Sequence, residues 1–166
     1  MGKSALNFVQ FTELFFLGLS IVFFGASSLS LDAKGRLSVP TRHQEALMAS
    51  CEGQVTITQH YEGCLMVFPR PAWEAFSAKI SALPMSSLPL KRLYLSNAMS
   101  VELDSTGRIL ISPELREAVG ISKETTLRGM GHYFELWDKA AYEAYDARIK
   151  KSMREMPPAE LNDITF

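Results

Sequence analysis

SLDAKGRLSV at Ser30 to Val39 and ELDSTGRILI at Glu102 to Ile111 are two copies of one pattern, set about 72 residues apart. Leu31 matches Leu103, Asp32 matches Asp104, Gly35 matches Gly107 and Arg36 matches Arg108; further on, Glu45-Ala46 match Glu117-Ala118. After a small deletion the match resumes at an offset of 69, where Leu65 to Phe76 (LMVFPRPAWEAF) lies over Phe134 to Tyr145 (FELWDKAAYEAY). Phe68 then corresponds to Trp137, Trp73 to Tyr142 and Phe76 to Tyr145. Two copies exclude a solenoid and leave two half-domains of similar build.

Each half has the same coarse reading. Leu29, Leu31, Leu37 and Val39 alternate around Asp-Ala-Lys-Gly-Arg, which predicts two short strands joined by a tight turn with Gly35 available for positive φ. Val101, Leu103, Ile109 and Ile111 repeat the pattern around Gly107. A helix start follows each turn. Thr41 with Gln44 three residues on has the spacing of a capping box, and Ser112-Pro113 places an N-cap before a first-turn proline. Strands are expected at Val55 to Thr58, Leu65 to Phe68, Thr126 to Arg128 and Tyr133 to Trp137. Helices over Pro71 to Ala82 and Lys139 to about Met153 close the halves, and Pro84 and Pro89 with the serines between them mark a linker. The expected class is α+β with pseudo-twofold symmetry. Trp73, Phe76, Trp137, Tyr142 and Tyr145 are expected to pack each closing helix onto its sheet rather than to stack bases. The tail from Pro157 to Phe166 reads as weakly structured.

Composition narrows the class. The 166 residues are 47% hydrophobic and 21% charged, enough to bury a core in one domain or two small ones. Seventeen Lys and Arg against 18 Asp and Glu give a net charge of -1, so any nucleic-acid binding must come from local patches rather than a basic coat. Cys51 and Cys64 are too few for a disulfide scaffold and lack the spacing of a zinc site, which points to a reducing compartment. No metal or other cofactor is expected.

The apolar run Ala5 to Phe24 (ALNFVQFTELFFLGLSIVFF) raises a membrane span or a signal peptide. Glu13, Asn7, Gln10 and Thr12 interrupt it, and a central carboxylate costs roughly 2.5–3.5 kcal/mol on insertion scales. The internal match lays Ile21 to Leu31 over Leu93 to Leu103, so the first opening strand is expected near Ile21 or Val22, and cleavage after Ala26 would cut into it. Secretion is therefore disfavoured.

An Asp at the start of a tight turn accepts backbone N–H groups and fixes the turn, and the Arg that follows the Gly is held near it as a guanidinium fork aimed at a phosphate or a guanine edge. The plainer reading is a salt-bridged hairpin contributing about 0–1 kcal/mol. ASSLSLDAKGRLSVPTR, LDSTGRILISPELRE, GCLMVFPRPAWE and FELWDKAAYE together resemble the bacterial MraZ family over about Phe23 to Asp146. The resemblance implies two tandem AbrB-like half-domains, of swapped-hairpin, double-psi type, forming a pseudo-twofold β-barrel with short helices. It implies a ring-shaped homo-oligomer in the cytoplasm, associated with the nucleoid. It also implies a sequence-specific regulator, expected to repress the division and cell-wall gene cluster that includes its own promoter, by binding short direct repeats in double-stranded promoter DNA. The motif positions are Asp32, Arg36, Asp104 and Arg108, with Lys34, Arg42 and Arg116 as supporting cations.

The implied organisation is an extension at 1–21, a first half-domain at 26–72, a helix and linker at 73–97, a second half-domain at 98–141, and a closing helix and tail at 142–166. About twenty leading residues have no counterpart in the family; a start codon assigned too far upstream is the expected account, since Val22 can be encoded by the alternative start GTG, with a genuine extension or a signal or membrane anchor as the alternatives. Phe24 stands where the family often has a basic residue, so one peripheral phosphate contact is missing. No Walker loop, His-Glu-x-x-His or Gly-x-Ser-x-Gly is present, and His60 with Cys64 across a turn makes a poor catalytic pair. An enzyme is not expected. The competing class is a ring-forming protein-interaction module whose arginines serve subunit contacts.

Overall fold

The strands on either side of each motif turn pair across the repeat boundary rather than chiefly with each other. In the computed structural model, which describes residues 22–164, the first half supplies β1 (Ala26–Ser30), β2 (Arg36–Ser38), α1 (Thr41–Cys51), β3 (Gln54–His60), β4 (Cys64–Pro69) and α2 (Arg70–Ser81). A short 3-10 turn, Met85–Ser87, leads into α3 (Leu88–Tyr94). The second half supplies β5 (Met99–Glu102), β6 (Arg108–Leu110), α4 (Pro113–Val119), β7 (Glu124–Gly129), β8 (Phe134–Asp138) and α5 (Lys139–Glu155).

Among the described residues the strands form a six-stranded sheet in the order β1-β7-β8-β4-β3-β5 and a two-stranded ribbon of β2 and β6. Every pairing is antiparallel. Exchanging each strand for its repeat counterpart reverses the sheet order onto itself, so the pseudo-twofold passes between β8 and β4 and between β2 and β6. β1 lies on β7, from Ala26 opposite Arg128 to Ser30 opposite Glu124, and β5 lies on β3, from Gln54 opposite Glu102 to Ile57 opposite Met99. Within the first turn only an isolated bridge, Leu31 to Leu37, joins the flanking strands. Local alternation cannot specify this exchange, because a strand with one apolar face is satisfied by any partner that covers it.

β4 illustrates why the sequence folds this way. Its six residues, CLMVFP, are all buried, as expected of a central strand covered on both faces. Leu65 and Val67 point into the main core with Leu37, Ile57, Ile109, Ile111 and Leu136. Met66 and Phe68, on the opposite face, join Ala72 and Tyr94 under α2 and α3. Full burial of one such side chain stabilises by roughly 1.5–3 kcal/mol. Phe68 stacks on Phe76 and Tyr133 at centroid distances of 4.8 and 5.1 Å, while Trp137 meets Tyr142 and Tyr145 at 5.6 and 4.8 Å. The aromatics thus hold the closing helices to the sheet, as expected.

Four local expectations are corrected. Thr41 is the first residue inside α1, behind Pro40, and no side chain caps that helix; the Gln44 amide donates instead to the Val39 carbonyl at 2.6 Å. Ser112 does cap α4, accepting from the Leu115 N–H at 3.3 Å. The opening strand starts at Ala26 rather than Ile21 or Val22, with Phe23 joined to Gly131 by an isolated bridge. The matching residues of the second repeat, Leu93 and Tyr94, end a helix, so the repeats diverge there. The expected linker contains α3, whose Tyr94 is buried and whose carbonyl accepts from the Thr58 hydroxyl at 2.7 Å. The tail carries a 3-10 turn, Ala159–Asp163. The expected extension at 1–21 lies outside the described residues. No helix among the described residues is long and apolar enough to cross a membrane.

Candidate nucleic-acid interface

The two motif turns are built alike. Asp32 Oδ1 accepts from the N–H groups of Lys34 and Arg36, both at 2.9 Å, and its Oδ2 accepts from Arg36 Nε at 2.7 Å. Asp104 Oδ1 accepts from the Thr106 N–H at 2.9 Å, the Thr106 hydroxyl at 2.8 Å and the Arg108 N–H at 3.0 Å, while its Oδ2 takes Arg108 Nε at 2.8 Å. The backbone closes each turn twice: Asp32 N donates to Arg36 O and Gly35 N to Asp32 O, with the equivalent pair at Asp104, Arg108 and Gly107. Gly35 and Gly107 sit at φ 77° and 76°, in the left-handed region that glycine enters without steric cost. The spacing Asp-x-x-Gly-Arg is therefore a turn in which the carboxylate does the work of a capping group.

Both carboxyls are held below the ordinary aspartate value, first by the bond from the arginine backbone N–H and then by the arginine and neighbouring donors. They remain charged, and each keeps its guanidinium fixed through Nε.

The ribbon then sets the two turns side by side. Arg36 stands opposite Leu110 and Ser38 opposite Arg108, which puts Arg36, Ser38, Arg108 and Leu110 on one face, since directly opposed residues and i, i+2 neighbours share a face. Leu37 and Ile109 on the other face are 0% and 2% exposed. The outward face keeps both arginines accessible, their side chains about three-tenths exposed. Arg108 Nη1 also lies 3.8 Å from Asp32 Oδ2, linking the turns across the pseudo-twofold. Further out, Val39 N donates to Gly107 O at 3.0 Å and Ile111 N to Gly35 O at 2.9 Å, so each turn is anchored on the other half.

The supporting cations fall in three different places. Lys34 is exposed in the first turn and has no carboxylate within 4 Å among the described residues. Arg116 donates through Nε to the Ile111 carbonyl at 3.1 Å and lays its guanidinium over Gly35, where an added Cβ would lie 3.0 Å from Cζ. Arg42 bonds through Nη2 to the Ser27 hydroxyl at 3.3 Å and through Nε to His43 Nε2 at 3.2 Å. Ser27 precedes Asp32 by five strand residues, about 16 Å of extended chain, so Arg42 is not gathered with the turns. His43 is buried against Phe23 and Phe134; burial and then Arg42 hold it below its ordinary value and favour the neutral ring.

Sequence reasoning missed Gln44, which sits against Gly107 as Arg116 sits against Gly35. The signal was available: Gln44 and Arg116 are related by the 72-residue offset. Cys64 lies opposite His60 in the β3 and β4 register, but burial, with Glu135 and Glu62 nearby, drives its thiol well above the ordinary value. It is poorly suited to act as a nucleophile.

A single sheet shared by two pseudo-symmetric halves, with paired Asp-anchored arginine turns on one ribbon, defines a two-repeat α+β protein with a doubled cationic turn. The family model described as "MraZ protein, putative antitoxin-like" matches residues 22–93 and again 94–163, and the chain belongs to the MraZ family. It is 59% identical to a Delftia acidovorans protein named Transcriptional regulator MraZ over 145 residues, which is 87% of this chain and all of the relative. A protein of the same name from Acidovorax sp. (strain JS42) is 63% identical over the same shares. One from Variovorax paradoxus is 64% identical over 136 residues, 82% of this chain and 94% of the relative.

Proposed function

We propose that this chain is a sequence-specific DNA-binding transcriptional regulator whose Asp32-Arg36 and Asp104-Arg108 turns contact double-stranded promoter DNA. The observation that carries the reading is the register of the β2 and β6 ribbon, which sets Arg36 and Arg108 on one exposed face with Nε of each already taken by its aspartate. The Nη edge of Arg36, and of Arg108 the part not turned toward Asp32, is left to face phosphate oxygens or a guanine edge, and the ordering entropy has been paid on folding. A two-stranded ribbon also has the width that a major groove admits. The names of the relatives support the regulatory role.

The finer reading is a repressor of its own division and cell-wall gene cluster that binds short direct repeats. The exchange of β1, β5 and the ribbon strands between halves supports an AbrB-like swapped-hairpin assignment. Assembly of chains into a ring, cytoplasmic and associated with the nucleoid, reconciles the net charge of -1 with DNA binding, because each added subunit presents the same turns at high effective concentration. The half-domains are assigned to 26–72 and 98–141, with Lys34 and Arg116 as supporting cations and Arg42 as a more distant one.

The test is a titration of duplex DNA from the region upstream of the chain's own gene, at several salt concentrations. Arg36→Ala and Arg108→Ala are expected to lower affinity and to reduce the slope of log K against log salt by about 0.9 for each phosphate contact removed. An unchanged slope with a dissolved oligomer, read from native mass, would instead assign the arginines to subunit contacts.

A further inference from the structure

The pseudo-twofold that relates the two turns in shape does not relate them in charge. The first turn carries Lys34 and Arg36, with the Arg116 guanidinium laid against Gly35, and one carboxylate, Asp32, which pairs with Arg36. At the second turn Arg108 faces Asp104, and the other two cationic positions are neutral: Thr106 stands for Lys34 and Gln44 for Arg116. The Thr106 hydroxyl is already committed to Asp104, whereas the Lys34 side chain has no hydrogen-bond partner among the described residues. Arg108 is also restrained by both aspartates, Asp104 at 2.8 Å and Asp32 at 3.8 Å, while Arg36 pairs with Asp32 alone.

The flanks continue the contrast. The strand entering the first turn is tied to the Lys123 carbonyl through Leu31 N, with Glu124 on Ser30 beside it. The strand entering the second is tied to the Gly53 carbonyl through Leu103 N, next to Glu52 and to Glu102, which accepts from Gln54. One lysine and one glutamate flank the first turn; two glutamates flank the second, where the nearby cation, Arg70, donates to Gln54 Oε1 at 2.8 Å and is already paired with Glu74.

We infer that the DNA-contacting ribbon is electrically polarised: the first-repeat turn, with Lys34 and Arg116, carries the main phosphate contact, and the second-repeat turn positions the ribbon and contributes little counterion release. This rests on the reading of the turns as DNA contacts and adds to it a direction. A phosphate brought to the first turn meets Arg36 and Lys34 of the turn itself, with the Arg116 guanidinium beside Gly35. The two turns lie within one screening length of each other, so the contrast acts through direct contacts at hydrogen-bond range rather than through two separate fields. A polarised ribbon has a front and a back, so it lies on a duplex in one orientation despite its symmetric backbone.

The experiment converts the first turn to the chemistry of the second. Lys34→Thr combined with Arg116→Gln installs the residue types that the molecule already tolerates at the equivalent positions, Thr106 and Gln44. Binding of the full chain to the same fluorescently labelled upstream duplex is measured by anisotropy across salt concentrations, with a thermal melt of each variant, beside Thr106→Ala and the single change Lys34→Thr. Expected are a loss of roughly tenfold or more in affinity for the double variant and a slope shallower by nearly 2, a slope shallower by about 0.9 for Lys34→Thr, and no slope change for Thr106→Ala. If Arg36→Ala abolishes salt-dependent binding while the double variant and Lys34→Thr bind as the unaltered chain does, the DNA reading stands and the polarity is wrong. If the unaltered chain shows no salt-dependent binding, the reading of the turns fails and the polarity with it. Lys34→Thr removes an exposed side chain without internal bonds, so its slope decides the matter even where the double variant folds poorly.

Discussion

Asp32 and Asp104 each accept bonds from N–H groups of their own turn and from a guanidinium, and both carboxyls lie below their ordinary value of 3.8. A carboxyl whose folded value is depressed favours the fold when ionised. Its contribution is therefore complete above the unfolded value, near pH 4, and is lost as acid protonates the folded turn. Carboxyl-carbon NMR titration is expected to show both aspartates titrating below 3.8, Asp104 as well as Asp32, with the turn amides of Lys34 and Thr106 shifting in step. A midpoint at or above 3.8 for either would remove the electrostatic account of its turn. The residue types at this scale were legible: the sequence alone placed Asp, Gly and Arg in their roles, because the turn is closed by bonds between residues at most four apart.

At the scale of elements, legibility depended on whether the signal was local. Ser112-Pro113 announced α4 correctly because an N-cap acts on its own first turn. Thr41 and Gln44 had equally good spacing and formed no box, because Pro40 takes the cap position and the Gln44 amide goes to Val39 and to Gly107 on the other repeat. α3 was hidden by Pro84 before it, Pro89 in its first turn and the serines between them, and it forms because Tyr94 finds a place under Phe76 and over β3. The cross-repeat contact at Gly107 is testable. Gly107→Ala adds a Cβ at φ 76° that would overlap the Gln44 amide, and a cost of about 1–3 kcal/mol is expected. Urea denaturation should recover part of that loss in the Gln44→Ala, Gly107→Ala double variant, because the clash is gone and the backbone strain is not; additive losses would mean that the two residues do not meet.

For the whole molecule, the exchange of strands makes the halves interdependent. Among the described residues β1 has its only sheet partner in β7, β5 has its only one in β3, and β2 and β6 have each other. Neither half can bury its apolar strand faces alone, so unfolding is expected to be a single transition. Trp73 reports from the first half and Trp137 from the second, and the denaturation curves of Trp73→Phe and Trp137→Phe, each followed by the remaining tryptophan, should share their cooperativity and span the same transition as far-UV circular dichroism. A curve with two steps would make the halves independent units.

The turn chemistry and most helix and strand positions followed from short-range pattern, namely spacing, alternation and the hydrogen-bonding reach of a side chain, while the repeat came from the self-match at an offset of about 72 and the candidate DNA-contacting residues from the family resemblance. Which strand pairs with which was not, because an alternating strand offers the same apolar face to any partner, and only the burial of Leu37, Ile109, Leu65 and Leu136 in one shared core selects the exchange. That selection brings Arg36 and Arg108 onto one face and Arg116 under the first turn. The tertiary structure, by joining residues some 70 to 100 positions apart, decided how two similar turns become one ribbon with unequal ends.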